Sequence, residues 1–322
     1  MKKRTKIILG ILAALVLLGL VVLLVNLTAK TRNSEPTRIF LPEGTTQDAL
    51  IDTLHVHGIL EEGMNTTVFN FQFSILSSTV RPGSYIISPH MSALSLVRKL
   101  RNGQQDPIRL TIGKFRTPEQ LNGYLKSKLM HEDFDIPLDS FHLVRPNTYE
   151  FYWTVSPEQF MKRMRKEYDT FVLSLHFTPS HSLSLQDIII LASIVEEETN
   201  HNPEKPLIAS VYLNRLKRGI PLQADPTVKY AVGDFTLRRI LNKHLAVESP
   251  FNTYLHTGLP PAPICLPSDA SVDAVLKAPE TDYLYFCASD KMDGTHRFAV
   301  TLAEHDRNAA AFHRALNALG IR

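Results

Sequence analysis

The sequence is poor in the residues that build disulfide frameworks and metal sites. Cys265 and Cys287 are the only cysteines among 322 residues, and two thiols do not make a disulfide scaffold. Two alternatives remain open for them: one disulfide in an oxidising compartment, or two unpaired or buried thiols. Although there are 13 histidines, no His-Glu-x-x-His or Cys-x-x-Cys pair occurs. The sequence therefore predicts neither a metal site nor a cofactor.

An excess of positive charge is also missing outside the first six residues. The net charge is +3, and residues 1–6 hold four basic side chains and no acidic one, which leaves −1 for residues 7–322. No basic stripe with interleaved aromatic residues follows. The alkaline isoelectric point therefore comes from the N-terminus, and nucleic acid is not an expected partner.

Charged side chains are absent from residues 7–29, a run of 23 residues that are mostly Leu, Val, Ile and Ala. A helix of this length would be about 34 Å long, enough to cross a hydrocarbon core of about 30 Å. Residues 27–29 form a poor cleavage site, which favours an uncleaved anchor over a removed signal peptide. The basic residues before the run predict a single pass through the inner (cytoplasmic) membrane, with residues 1–6 in the cytoplasm. Membrane lipid is the expected partner of residues 7–29.

The chain after this run is long enough for two domains, and its patterns predict an α+β fold in three regions. Residues 30–112 form a small α+β module, residues 113–183 a helical connecting region, and residues 184–322 a mixed α+β region with most of the candidate chemistry. Hydrophobic periodicity and turn signals divide the module into strands and helices. These are the strands Arg38–Leu41, Gly83–Ser88 and Ile108–Ile112 and the helices Gln47–His57 and Ser92–Arg101.

Two helices dominate the connecting region. Each begins with a hydroxyl residue followed by proline, a common helix start. The helices are predicted over Pro118–Lys128 and Pro157–Leu175. Residues 145–152 lie between them and are predicted to form an aromatic loop.

Ser184 and Asp187 have the spacing of a capping box, which predicts the start of a helix, and this helix ends in three consecutive glutamates. Glu198 lies four residues after Ile194 and so prolongs an apolar stripe, whereas Glu197 is expected to be the most exposed and Glu196 intermediate. A carboxyl group at the end of an apolar face is partly desolvated. Desolvation raises its pKa and keeps it protonated near neutral pH, as a general acid requires. A solvated acidic helix end is the alternative, and periodicity leaves both open.

Three loops after the glutamates are rich in Pro and Gly and carry polar side chains: residues 220–227, 249–254 and 258–264. Such loops hold Asn, Thr, Tyr and Gln rigidly, which suits sugar hydroxyl and acetamido groups. Ordinary turn chemistry explains each residue taken singly. Asp225 is also placed to cap a helix that starts at Pro226. The other predicted elements are the helix Leu207–Arg218, a hairpin of Tyr283–Ala288 and His296–Val300, and the helix Leu302–Leu319.

Six motifs in register resemble the YceG-like (MltG) family of endolytic murein transglycosylases. They are Ala192–Thr199, Leu213–Leu216, Leu222–Val228, Asn252–Tyr254, Gly258–Pro261 and Tyr283–Phe286. The resemblance covers Pro146 to the C-terminus well and extends loosely to residues 37–112 and to the expected N-terminal anchor. Two positions depart from the family pattern: a basic residue is usual in place of Glu197, and Asp in place of Asn147, so Asn147 is assigned no role.

The resemblance implies a LysM-like module over residues 30–112 and a catalytic region over residues 184–322, which the distribution of basic residues predicts to lie outside the cytoplasm. It places the catalytic acid at Glu198, the glutamate that helical periodicity independently places on the apolar face. It makes Glu196 a supporting group. The candidates for binding the glycan are Gln223, Asp225, Asn252 and Tyr254.

The family reaction cleaves MurNAc–GlcNAc bonds within glycan strands, leaves 1,6-anhydro-MurNAc ends and is expected to terminate nascent strands. Peptidoglycan strands, and with them cell-wall synthesis proteins, are the partners that the resemblance implies. Two functions are alternatives to a transglycosylase. A hydrolytic muramidase would need a second carboxylate, for which Asp225 is the candidate. A peptidoglycan-binding scaffold without catalysis would use the LysM-like module alone.

Overall fold

The computed structural model describes residues 8, 10, 14–17, 19, 29–61, 63–76, 79–175, 183–237 and 239–318. They form a mixed α+β structure, as the sequence predicts. The chain divides into two compact units. The first unit takes the described residues of Met1–Leu110, Lys128–Glu132 and Glu150–Val155, and the second takes those of Thr111–Ser127, Asp133–Tyr149 and Ser156–Arg322.

No helix in these described ranges is both long and apolar enough to cross a membrane. This finding contradicts the membrane-spanning helix predicted over residues 7–29, together with the single-pass inner-membrane localisation and the lipid partner. Most of that run lies outside the described residues.

The first unit is built on a two-stranded antiparallel sheet with helices packed against it. Its elements are β1 (Thr37–Leu41), α1 (Gln47–Val56), α2 (Met64–Leu76), β2 (Gly83–Ile87), α3 (Ala93–Arg101) and β3 (Ile108–Ile112), the last of which continues into the second unit. Ile39 on β1 pairs with Tyr85 on β2, and both side chains are fully buried. The predicted strands and helices here are confirmed to within one residue. Helix α2 was not predicted, although its Phe69 and Phe73 enter the core.

The rest of the described chain is mainly helical. It contains α4 (Pro118–Lys128), α5 (Leu138–Phe141), β4 (Asn147–Phe151), α6 (Pro157–Ser174), α7 (Leu185–Glu198), α8 (Lys205–Lys217), α9 (Asp225–Val232), α10 (Asn242–Leu245), α11 (Asp269–Leu276), β5 (Tyr285–Ala288), β6 (His296–Ala299) and α12 (Leu302–Ala318). β3 pairs with β4, and β5 forms an antiparallel hairpin with β6. The predicted aromatic loop is therefore wrong in its centre. Tyr149 and Phe151 are buried while the residues between and before them are exposed, which is the period-two pattern of a strand.

Helix α7 contributes five residues to the hydrophobic core of the second unit. Its capping box is confirmed: the Ser184 side chain accepts from the Asp187 backbone N–H, and the Asp187 carboxylate accepts from the Ser184 backbone N–H. All eight residues from Ile188 to Val195 are buried, and they pack against α8 and α11. The helix ends at Glu198. This buried helix therefore places all three glutamates at the edge of the core.

Candidate active site

Glu196 is part of a buried ionic cluster. One of its carboxylate oxygens, Oε2, accepts hydrogen bonds from the hydroxyl groups of Ser268 and Ser271 and from Lys205 Nζ at 3.1 Å. Lys205 is 3% exposed, so its ammonium group depends on this partner. Burial raises the pKa of Glu196, but the hydrogen bonds from the two serines and Lys205 outweigh it and hold the pKa below its usual value. This carboxylate is ionised and ties α7 to the start of α11.

Glu197 is also paired, which corrects the prediction that it is the most exposed of the three. Its carboxylate lies 3.1 Å from Lys114 Nζ and 3.0 Å from Arg116 Nη2, and its side chain is only 12% exposed. Both cations belong to the segment between β3 and α4, about 80 residues earlier in the chain. Helical periodicity places Glu197 on the polar face of α7 but says nothing about a distant segment that covers that face.

Glu198 differs from both neighbours. Its Oε1 accepts a hydrogen bond of 2.5 Å from Tyr212 Oη on α8, and among the described residues it forms no ion pair with Lys or Arg. Burial raises the pKa of Glu198 to about 7, against the opposing effect of the Tyr212 hydrogen bond. The negative charge of Asp225 raises it further, while Lys229 lowers it. A carboxyl group with this pKa is protonated in a large fraction of molecules at neutral pH and can both donate and accept a proton.

Glu198 lies in an open cleft of about 330 Å³. Polar and aromatic side chains surround it. The lining residues besides Glu198 are Tyr212, Arg215, Leu222, Gln223, Asp225, Tyr254, Tyr285, Phe286, Leu302 and His305. The structure thus brings Glu198 together with three of the four predicted glycan-binding residues: Gln223, Asp225 and Tyr254.

Arg215 organises the side of the cleft that carries Gln223. It is buried, and its guanidinium donates to the backbone carbonyls of Leu284, Pro221 and Leu222 and to Gln223 Oε1 at 3.2 Å. Gln223 has a φ of 50°, in the left-handed region that non-glycine residues rarely adopt. Strained backbone of this kind persists where the surroundings determine it, and it commonly accompanies a functional position.

Asp225 and Tyr254 form a pair in the same cleft. Tyr254 Oη donates to Asp225 Oδ1 at 2.7 Å. Burial and this hydrogen bond raise the pKa of Tyr254, so its hydroxyl stays protonated. The prediction that Asp225 caps a helix is wrong: α9 starts at Asp225 itself, its cap residue is Ala224, and that cap makes no side-chain hydrogen bond.

Asn252 is placed behind the cleft wall. It is fully buried, and its side-chain amide donates to the carbonyls of Leu245 and Val247 at 2.9 Å each. Its Oδ1 accepts from the backbone N–H of Tyr254 at 3.0 Å. With all of these groups used inside the protein, Asn252 shapes the loop that presents Tyr254.

Several cleft residues carry no functional signal in the sequence. Tyr212 follows Ile208 by four residues on α8, so periodicity assigns it to the core, and only the partner of its hydroxyl group reveals another role. His305 on α12 stacks on Tyr285 with ring centroids 5.4 Å apart. No local pattern could bring this C-terminal helix to Glu198. Cys265 and Cys287 are both free, and Cys265 is buried.

Comparison with known proteins identifies the family. The YceG-like family model matches residues 39–311, which is most of the chain, and this protein therefore belongs to the YceG-like family.

The chain is 39% identical over 173 residues to an endolytic murein transglycosylase from Bacillus subtilis (strain 168), a match that covers 53% of this chain and 47% of the relative. It is 28% identical over 319 residues to an endolytic murein transglycosylase from Streptococcus pneumoniae (strain ATCC BAA-255 / R6), covering 84% of this chain and 57% of the relative. The chain thus spans about half the length of the curated relatives it matches. A crystal structure of a yceG-like protein from Listeria monocytogenes matches with a TM-score of 0.54 and 28% identity, over 85% of this chain and 99% of that chain.

Proposed function

We propose that this protein is an endolytic lytic transglycosylase of peptidoglycan and that Glu198 is its single catalytic acid and base. The names of the Bacillus and Streptococcus relatives support the reaction and the murein substrate. The assignment to Glu198 depends on one observation: its carboxyl group lies in a cleft and has a pKa of about 7. A group with a pKa near the working pH is the best compromise between donating and accepting a proton.

The reaction has two proton transfers. Protonated Glu198 donates its proton to the glycosidic oxygen as the bond to C1 of N-acetylmuramic acid breaks. The resulting carboxylate then accepts the proton of the C6 hydroxyl group of the same sugar, whose oxygen attacks C1 and closes a 1,6-anhydro ring. Glu198 ends protonated, as it began, and no water is consumed. Attack by a hydroxyl group of the same molecule benefits from a high effective concentration.

The neighbouring glutamates are unsuited to this role. Glu196 is held ionised by Lys205 and two serines, and Glu197 is paired with Lys114 and Arg116. We retain Glu196 as a supporting group, because its cluster fixes the end of the helix that carries Glu198.

The glycan-binding surface comprises Gln223, Asp225 and Tyr254 in this proposal. All three line the cleft, and they offer an amide, a carboxylate and a hydroxyl group to sugar hydroxyl and acetamido groups. Asn252 acts indirectly, by holding the loop of Tyr254.

A hydrolytic muramidase is the second candidate, because Asp225 is a carboxylate in the same cleft as Glu198. In that reaction Asp225 would activate a water molecule. Its hydrogen bond from Tyr254 Oη favours the binding role instead, since the bond occupies one carboxylate oxygen. A scaffold without catalysis is less well supported, because pure binding has no need of a carboxyl group with a raised pKa.

The first unit is proposed to be LysM-like and to position the protein on its polymer. It contains β1 and β2 in one antiparallel sheet, with α1 and α2 between them in the chain. Cleavage of bonds within glycan strands by the second unit would then end the elongation of nascent glycan. The association with cell-wall synthesis proteins stays a prediction.

The test is mass spectrometry of the products from purified glycan strands. A transglycosylase leaves 1,6-anhydro ends, which lack one water relative to reducing ends. Anhydro ends on internal fragments support the proposal. Reducing ends would reject it in favour of the muramidase, and the absence of cleavage by folded protein would favour the scaffold.

A further inference from the structure

In the described part of the chain, Tyr212 is the one residue that hydrogen-bonds the carboxyl group of Glu198. The Tyr212 side chain is 2% exposed, and its hydroxyl group donates to Glu198 Oε1 at 2.5 Å. A tyrosine in this core position could be a phenylalanine if only packing mattered. A buried hydroxyl group instead needs a partner, and here the partner is the candidate catalytic carboxyl group.

The tyrosine ring is held in place by the β5–β6 hairpin. Phe286 of β5 packs edge-on against Tyr212, with ring centroids 5.8 Å apart and an interplanar angle of 86°. The His296 ring packs against Phe286 at 5.5 Å, and Glu204 accepts from the His296 backbone N–H at 2.8 Å and lies 2.9 Å from its Nδ1. This chain of contacts fixes the position of the hydroxyl group.

We propose that Tyr212 is a positioning residue that orients the Glu198 carboxyl group, directs its proton to Oε2, and sets the upper limit of the pH range for catalysis. This inference rests on the proposed function of Glu198. A protonated carboxyl group has one carbonyl-type oxygen and one hydroxyl oxygen. A donor aimed at Oε1 stabilises the form in which Oε1 is the carbonyl-type oxygen, so the proton that is transferred resides on Oε2.

Tyr212 acts as a donor and not as a base. Burial and the nearby Glu198 charge hold the pKa of Tyr212 well above its usual value, so the hydroxyl group keeps its proton. A hydrogen bond to the carboxylate favours the ionised form, and Tyr212 accordingly lowers the pKa of Glu198 against the effect of burial.

Other charged and titratable groups also act on Glu198 or on Tyr212. Asp225 on α9 and Glu197 on α7 raise the pKa of Glu198, and Lys229 on α9 lowers it. Arg215 and Tyr254 act on Tyr212 itself. Removal of the single oxygen in Tyr212→Phe leaves all of these groups in place, so the variant isolates the hydrogen bond.

The experiment compares the pH profiles of kcat for the parent protein, Tyr212→Phe and Tyr149→Phe. Tyr149 is the matched control, since it is also buried and its hydroxyl group donates to a backbone carbonyl, that of Arg145, at 2.9 Å. In Tyr212→Phe the alkaline limb should move up by about one pH unit, because a hydrogen bond of ordinary net strength corresponds to about that shift. The rate at the optimum should fall by less than about tenfold. Tyr149→Phe should leave the profile unchanged.

Titration of the Glu198 carboxyl carbon by NMR gives a readout that does not depend on turnover. Its pKa should rise in Tyr212→Phe and not in Tyr149→Phe. If both the titration and the alkaline limb are unchanged in Tyr212→Phe, the inference is overturned. Full activity of Glu198→Gln would instead remove the proposed function, whatever Tyr212 does.

A second variant covers the case in which Tyr212→Phe does not fold. Phenylalanine keeps the ring against Phe286, and equal unfolding midpoints for Tyr212→Phe and Tyr149→Phe would show that both fold. If Tyr212→Phe does not fold, replacing Tyr212 with fluorotyrosine provides the converse test. A more acidic hydroxyl group donates more strongly, so the alkaline limb should move to lower pH. An unmoved limb would overturn the inference.

Discussion

Glu196 and Glu198 lie two residues apart at the end of α7, and their surroundings shift the pKa of each carboxyl group in opposite directions. Around Glu196, two serine hydroxyl groups and Lys205 stabilise the carboxylate. Around Glu198, burial and the charge of Asp225 disfavour the carboxylate, and a single tyrosine hydroxyl group opposes them. The same side chain is therefore held ionised at Glu196, whereas at Glu198 it can keep its proton near neutral pH. The number and the charge of the groups around each carboxyl group decide whether its pKa is raised or lowered.

The largest expected effect is on catalysis. Glu198→Gln keeps the size of the side chain and its hydrogen bond with Tyr212 but removes the transferable proton. Loss of a general acid costs about 10²–10⁴-fold in rate, and both steps use this group. We expect kcat for glycan cleavage to fall by at least that factor, with circular dichroism unchanged. A fully active Glu198→Gln beside an inactive Glu196→Gln would mean that the wrong glutamate has been chosen.

The next largest effect is on stability, through Glu196. Glu196→Gln leaves the Lys205 ammonium group buried without its counter-charge, which costs about 3 kcal/mol or more in the free energy of unfolding. Because the pKa of Glu196 is lowered in the folded state, this contribution is present above the usual carboxyl pKa and disappears as the pH falls. Urea denaturation near neutral and at acid pH checks both statements. Glu167→Gln, which breaks a more exposed pair with Arg163, is the control.

The same substitution at Glu198 should act in the opposite direction. A folded-state pKa of about 7 means that the parent protein loses stability as the pH rises from the usual carboxyl pKa to about 7, and the loss is complete above that value. Glu198→Gln should therefore be more stable than the parent protein at alkaline pH, by about 3 kcal/mol, with the gain vanishing below the usual carboxyl pKa. Urea denaturation at about pH 5 and about pH 8 measures the difference. A variant that is less stable than the parent at the higher pH would contradict the environment described for Glu198.

Glu197 should show an intermediate response. Its partners Lys114 and Arg116 have side chains about one-third exposed, so loss of the ion pairs in Glu197→Gln should cost only about 1 kcal/mol. Its negative charge raises the pKa of Glu198, so activity should change by a few-fold and not be abolished. Thermal unfolding and kcat measure the two effects. Asp273→Asn, which breaks the exposed pair with Lys277, should change neither.

The smallest effect separates the two candidate reactions. In Asp225→Asn, removal of a negative charge should lower the pKa of Glu198 and move the alkaline limb of the pH profile to lower pH, by less than about one unit. A transglycosylase should keep its 1,6-anhydro products, with weakened glycan binding seen in KM. A loss of kcat of about 10²-fold or more would instead mark Asp225 as the base of a muramidase.

Much of the local structure could be predicted. The capping box at Ser184, the helix that ends in three glutamates and the strands around the first-unit core follow from patterns a few residues long. Glu198 could be selected because helical spacing aligns it with Ile194. Strand β4 was not predicted, because two buried aromatic residues do not distinguish a strand from a loop when the partner strand is not known. The membrane span expected over residues 7–29 is contradicted by the described helices.

The sequence by itself determined where α7 begins and ends, and that Glu198 continues its apolar face, since both depend on contacts within a few turns of helix. Only the tertiary structure decided how each glutamate behaves. Lys114 and Arg116 reach Glu197 from about 80 residues away, Ser268 and Ser271 reach Glu196 from more than 70, and Tyr212 crosses from α8 to Glu198. A carboxyl pKa depends on burial and on charges and donors within a few ångströms, and folding alone brings these groups together.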